Sequence, residues 1–323
     1  MRASTGSFCK VTGFVLALIL LGLAPARAGE TPLRLGTNVW PGYEPFYLAK
    51  TLYDWDPRTD IRLVEFPSAS EVLRAFANGA IEAAAVTLDE ALVLKEHGDD
   101  LRIVLVTDVS AGADVIMARP EISDMARLKG RRIAVETGAL GAYMLSRALD
   151  LHGLDLGDIT VVHLDVSSHE QAYTGGEIDA AVTFEPFRTR FLKAGARQIF
   201  DSSAMPGEIV DVVIVHAAAL PEFEPQLRRL TDGWFGALEH IETDRAAAAE
   251  IMAEQLGIAP DEVIESYRGL ELGDRALNER FLTGAQPELR ATLARLQDTM
   301  LAHELLRRAV DIDPLIDGRL LND

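Results

Sequence analysis

Gly175-Gly176-Glu177-Ile178-Asp179-Ala180-Ala181-Val182-Thr183-Phe184-Glu185-Pro186 is the stretch on which the fold turns. Two glycines at its head end the preceding helix, because glycine accepts the left-handed backbone such an end requires. Ile178 to Val182 are small or β-branched, the make-up of a short strand covered on both faces. Thr183 and Glu185 then fall at the carboxyl end of that strand. In open α/β sheets this edge is where ligands bind.

The same pattern occurs earlier. Ser68-Ala69-Ser70-Glu71 has the form of a capping box, a serine with an acid three residues on. A short helix follows, then Gly79-Ala80-Ile81-Glu82-Ala83-Ala84-Ala85-Val86-Thr87-Leu88-Asp89-Glu90. The later copy has its own box in Ser167-Ser168-His169-Glu170. Each copy reads box, helix, Gly, Ile, acid, Ala-Ala, Val-Thr, and an acid near the strand end. Either two ordinary αβ units coincide, or the chain holds two related lobes.

The rest of the chain divides the same way. Strands are expected at 33–37, 61–66, 101–107, 114–118, 132–136, 159–164, 198–200 and 211–216, with helices between most of them. Pro45 suits the first turn of a helix running to about Thr51. From Pro221 to Asp323 the periodicity is almost wholly helical, as in Leu289, Leu293, Leu296 and Met300. Alternating strands and helices imply parallel sheets with helices on both faces. The segments 108–113 and 206–211 read as two chain crossings between lobes. The expected division is therefore a signal peptide over 1–28, one lobe from 29–112 and 213–323, and a second lobe from 113–212.

Composition bounds the function. The 323 residues are 48% hydrophobic and 25% charged, enough for two lobes with their own cores. The formal charge of −19 argues against nucleic acid or an anionic membrane surface as partner. Arg2 and Lys10, the apolar run 14–23 and Ala26-Arg27-Ala28 form a targeting signal with cleavage expected after Ala28. Cleavage there removes three basic residues and no acid, taking the charge to −22. Cys9 is the only cysteine and precedes the apolar run, so no lipid anchor is expected on it. The exported chain then has no thiolate nucleophile, no disulfide and no cysteine-bound metal.

Several runs resemble, in order and spacing, the periplasmic solute-binding proteins of ABC importers. Leu128-Lys129-Gly130-Arg131-Arg132-Ile133-Ala134-Val135 with Thr137-Gly138 looks like their "DLKGKKIAV…G" signature. Gly176 to Ala181 and Phe184-Glu185-Pro186-Phe187 look like the "G-x-V-D-A…W-E-P" signature of the nitrate/taurine/sulfonate group, which also includes thiamine-precursor binders. Pro45-Phe46-Tyr47-Leu48-Ala49-Lys50 is similar to that group's "PLYVAK" helix. The resemblance covers about residues 35–215. It implies a two-lobed periplasmic binding protein fold of type II, a mostly parallel sheet in each lobe, and a helical C-terminal tail. It also implies a small-molecule ligand, an inner-membrane permease as partner, a monomer, and hinge closure.

By the same resemblance the ligand would meet Asn38, Trp40, Tyr43, Thr87, Ser110, Thr137, Gly138, Gly141, Glu185 and Asp211. The helix start at 137–142 offers free backbone N–H groups, which can hold an anion or a carbonyl, or is an ordinary glycine-rich turn. Trp40 and Tyr43 either cover a flat or cationic ligand or staple their loop to the core. Asp89 and Glu90 read more readily as helix N-terminal acids. Two departures speak against an anion: Gly138-Ala139-Leu140-Gly141 lacks the hydroxyls of sulfonate and nitrate binders, and Phe184 stands where they have Trp. The acids beside two rings suit an amine or nitrogen heterocycle better.

Catalytic motifs are missing. His169-Glu170 and His303-Glu304 begin like a zinc helix but end in Tyr173 and Arg307. No G-x-S-x-G, phosphate loop or G-x-G-x-x-G occurs. The pyrimidine synthases of thiamine biosynthesis share the resemblance but carry a cysteine-rich segment that this chain lacks. The expectation is a binding protein for import, without enzyme activity, metal or cofactor, with a periplasmic sensor as the alternative.

Overall fold

The computed structural model describes residues 31–322, so the expected targeting signal lies outside the described residues. In chain order the first elements are β1 (Leu33–Asn38), α1 (Glu44–Leu52), β2 (Ile61–Phe66), α2 (Ala69–Ala77), β3 (Ala83–Thr87), α3 (Leu88–His97) and β4 (Leu101–Ser110). Next come β5 (Val115–Ala118), β6 (Arg132–Val135), α4 (Leu140–Leu151), β7 (Thr160–His163), α5 (Val166–Thr174), β8 (Ala180–Thr183), α6 (Phe187–Lys193) and β9 (Arg197–Asp201). The chain ends with β10 (Val210–His216), α7 (Leu220–Thr243), α8 (Arg245–Leu256), α9 (Pro260–Ser266), β11 (Leu270–Leu272), α10 (Arg275–Leu282) and α11 (Glu288–Ala302). None of the described helices is long and apolar enough to cross a membrane.

Two sheets share one plan. The first runs β11-β4-β10-β3-β1-β2 and the second β7-β6-β8-β5-β9. In each, three parallel strands follow the order second, first, third, and the next strand is antiparallel. That antiparallel strand arrives from the other side: β5 follows the first sheet's β4, and β10 follows the second sheet's β9. The chain therefore crosses twice, at 111–114 and 202–209. The duplicated stretches of sequence are β2-α2-β3-α3 and β7-α5-β8-α6, at equivalent places in the two sheets.

Why these residues form central strands is visible in β3. Ala83 and Ala85 pack on one face with Leu33, Leu35, Phe46, Leu227 and Trp234. Ala84 and Val86 pack on the other with Phe76, Leu92, Ile214 and Leu293. In β8, Ala180 and Val182 join one core and Ala181 the opposite one. Side chains alternate across a strand, and small residues let helices approach from both sides.

The acid shared by both copies pins the first strand of its sheet. Glu82 accepts the backbone N–H of Arg34 at 2.9 Å and pairs with its guanidinium. Asp179 accepts the backbone N–H of Arg132 at 2.9 Å and pairs with its guanidinium at 3.0 Å.

Four sequence expectations need correction. Ser68 stands at the N-cap of α2 but makes no capping bond; the Ser70 N–H is taken instead by Glu136 Oε1, at 2.7 Å, from the end of β6. The second box does not cap either, because α5 begins earlier: Asp165 is its N-cap, Val166 is buried, and Ser167 and Ser168 lie inside the first turn. Asp108 to Ser110 are not loop; they extend β4, held by Asp211 and Val210 on one side and by Leu270–Leu272 on the other. Likewise β10 belongs to the first sheet from Val210, so the second crossing is over before residue 213. The tail is helical as expected down to Ala302, with β11 as an inserted edge strand and residues 303–322 mostly irregular.

Candidate functional site

Where the carboxyl ends of the two sheets face each other, a cavity of about 310 Å³ is lined from both sides. The first sheet contributes Asn38 and Thr87 from strand ends, Asp211 from β10, and Trp40 and Tyr43 from the turn after β1. Glu90 and Ala69 come from the first turns of α3 and α2. The second side contributes Phe184, Leu140 and, from the crossing, Asp114. A continuation of about 350 Å³ reaches Glu136, Gly141, Val166 and His169. The Trp40 and Phe184 rings meet edge to face across the gap, with centroids 5.2 Å apart.

Buried carboxylates dominate the site. Tyr43 donates to Asp211 Oδ1 at 2.5 Å, and the Trp40 indole N–H donates to Asp108 Oδ2 at 3.2 Å. Gly42 permits this: a Cβ there would collide with the Asp108 carboxylate and the Trp40 nitrogen. Asp108 and Asp211 are direct cross-strand partners. Asp108, Asp114 and Asp211 are 0%, 1% and 3% exposed, and each keeps one carboxylate oxygen without a hydrogen-bond partner among the described residues. Burial pushes Asp114 up to about 7 and, with Asp89's charge adding, Glu90 up to about 8. Burial also raises Asp211, and the charge of Asp108 raises it further.

Among the described residues, no lysine or arginine lines either part of the cavity. The one basic ring, His169, donates from Nε2 to the Leu164 carbonyl at 3.0 Å, and burial lowers its pKa. With Nε2 donating, Nδ1 of the neutral ring is an acceptor, and it has no partner among the described residues. Two of the helix N-termini at the cavity, those of α2 and α4, each have a backbone N–H engaged from the opposite side. Glu90 reaches across from the first sheet, its Oε1 accepting the Leu140 N–H of α4 at 3.2 Å and its Oε2 accepting the Thr87 N–H at 2.9 Å. Glu136 does the converse on Ser70 of α2.

A family model described as the NMT1-like family matches residues 26–257. The chain belongs to the NMT1-like family. Among relatives of this NMT1-like chain, the "Putative aliphatic sulfonates-binding protein" of Escherichia coli (strain K12) is 26% identical over 266 residues, covering 79% of each chain. The alkanesulfonate-binding protein SsuA of Xanthomonas axonopodis pv. citri, solved with MOPS bound, superposes with a TM-score of 0.75 at 22% identity, covering 89% of this chain and 98% of that one. The desulfurization enzyme DszB has the same fold, with a TM-score of 0.64 at 17% identity over 89% of this chain and 97% of its own. The resemblance read from the sequence and the two-lobed binding-protein fold both hold.

The NMT1-like scaffold brings Asn38, Trp40, Tyr43, Thr87 and Asp211 together at the main cavity, with Gly141 on its continuation. It places four other candidates elsewhere. Ser110 is buried at the end of β4, its hydroxyl 2.8 Å from that of Ser202 in the second crossing. Thr137 points to His163, and the Gly138 backbone is a left-handed turn at the surface. Glu185 has both oxygens engaged by Arg188 and Thr189 of its own helix, at 3.1 Å each, and so holds the start of α6. Asp114, Asp108, Glu136 and Phe184 complete the site without having been candidates, together with Glu90, read from the sequence as a helix N-terminal acid, and Leu140 of the 137–142 helix start. A charge inside an otherwise apolar strand, as with Asp108, was the sequence signal available for one of them.

Proposed function

We propose that this protein is an exported solute-binding protein of an ABC importer. It captures a small polar molecule between its two lobes and presents it unchanged to a membrane permease. The observation that carries the reading is a cavity whose walls come from both sheets, so that one bound molecule touches both. A ligand that gains contacts on both sides favours the closed arrangement by the difference in its affinity for the two states. The sulfonate-binding relatives support the solute-binding role. The targeting signal supports a periplasmic location and cleavage after Ala28, and the protein is proposed to act as a monomer that diffuses to its permease.

The shared fold of a desulfurization enzyme raises catalysis as a second reading. Against it stands the sequence: the only cysteine is Cys9, within the targeting signal. Thermal melting with small-solute panels tests the proposal. A solute at a hundred times its dissociation constant raises stability by about 2.7 kcal/mol. Recovery of that solute unaltered after prolonged incubation supports binding; a converted product overturns it.

A further inference from the structure

The shape of the site argues for a solute-binding cleft; its unmatched atoms go further and specify the charge of the solute. Asp114 Oδ2, Asp211 Oδ2 and His169 Nδ1 all belong to residues lining the cavity, all at least 97% buried, and all without a partner. Each is an acceptor once the carboxylates are ionised. Asp108 Oδ1, beside Asp211, adds a fourth. Leaving such groups unmatched is costly, and only a donor can satisfy them.

Thr87 Oγ1, also unmatched at the cavity, is a hydroxyl that can donate or accept and carries no charge preference. The backbone N–H groups of Ser70 and Leu140, at the starts of α2 and α4, would be the natural seat for an anion, and carboxylates of the opposite side occupy them. A sulfonate or nitrate entering here would meet Asp114, Asp211 and Glu90 with no cation to offset them. Three rings complete the wall, and the faces of Trp40, Tyr43 and Phe184 favour positive charge.

We infer that the cleft takes a small organic cation carrying at least two N–H donors, an amidinium, a protonated aminoheterocycle or a primary ammonium, held between Asp114 and Asp211 against the Trp40 ring. This rests on the reading of the cleft as a solute site.

Titration calorimetry on the purified protein tests it with benzamidine, benzylamine and 4-aminopyridine as cationic probes, and methanesulfonate, taurine and nitrate as the alternatives. At least one cationic probe is expected to bind. Its affinity is expected to tighten by about tenfold or more from about pH 5.5 to about pH 8, because the bound cation favours the ionised forms of Asp108, Asp114, Asp211, Asp89 and Glu90, whose pKa values burial raises. Asp211→Asn keeps an acceptor for Tyr43 and is expected to remain folded while losing about tenfold or more in cation affinity. Binding of a sulfonate or nitrate that Trp40→Ala abolishes overturns the cation inference and leaves the solute-binding reading standing. A cation held equally well by Asp211→Asn, or more tightly at low pH, overturns the inference alone. If no probe of either charge binds at millimolar concentration, both readings fall.

Discussion

Glu185 and Asp211 were indistinguishable as candidates in the sequence, both acids at strand ends, yet their surroundings give them opposite roles. Glu185 faces its own helix, so Glu185→Ala is expected to lower stability by about 0.5–2 kcal/mol, the worth of a helix cap, and to leave solute binding intact. Chemical denaturation beside a binding titration checks both parts. Asp211 and Asp114 are buried without full pairing, so their neutral isosteres should relieve the fold. Asp114→Asn is expected to raise the melting temperature of the ligand-free protein at pH 8. The pH dependence follows with its sign. Carboxyls raised from about 4 to about 7 or 8 hold protons in the folded state that the unfolded chain has released. Ligand-free stability should therefore fall as pH rises from about 4.5 to about 8 and level off above, with a shallower slope in Asp114→Asn. Melting curves across that range decide it, and a flat or rising profile contradicts the burial of these groups in ionisable form.

The duplicated αβ stretches show how far a local pattern can be trusted. The glycine stop, the strand of small residues and its burial on both faces were legible because they depend on residue type and spacing alone. The shared acid was legible as a repeat but not as a function. In both sheets it fastens the opening strand through a backbone N–H and a guanidinium. Asp179→Ala should cost about 1.5–3 kcal/mol, since charge-assisted bonds are lost and the Arg132 N–H is left unmatched. Folding measured by urea titration is the check, with cleft binding expected to persist. The capping boxes misled because a serine followed by an acid is only a local opportunity. At α2 the helix end is met by Glu136, which lies 66 residues away in sequence.

Closure of the cleft is held by few contacts. Glu90 on Leu140, Glu136 on Ser70, the Ser70 hydroxyl on the Thr137 carbonyl at 3.3 Å and Lys193 on Glu262 at 2.7 Å join the two sides. The Lys193 pair is largely exposed and should contribute little. Glu136→Ala removes a carboxylate from a helix start in the interior of the cleft and should shift the ligand-free protein toward an open form. Small-angle scattering is expected to show a larger radius of gyration for that variant and a return toward the native value when solute binds. An unchanged radius would mean that the glutamate does not hold the lobes together.

Alternating strand and helix periodicity, the repeated stretch and the small residues of β3 and β8 set the two-sheet architecture, because burial on both faces of a strand leaves its mark in neighbouring positions. The aromatic and acidic residues near the strand ends were marked as a site by the family resemblance instead. Which acids share the cavity, which are used up within a helix, and which N–H groups stay free were decided only when the two sheets came face to face. Those properties belong to pairs such as Glu90 with Leu140 and Asp108 with Asp211, partners 50 and 103 residues apart in the chain, and separation of that kind carries no local signal.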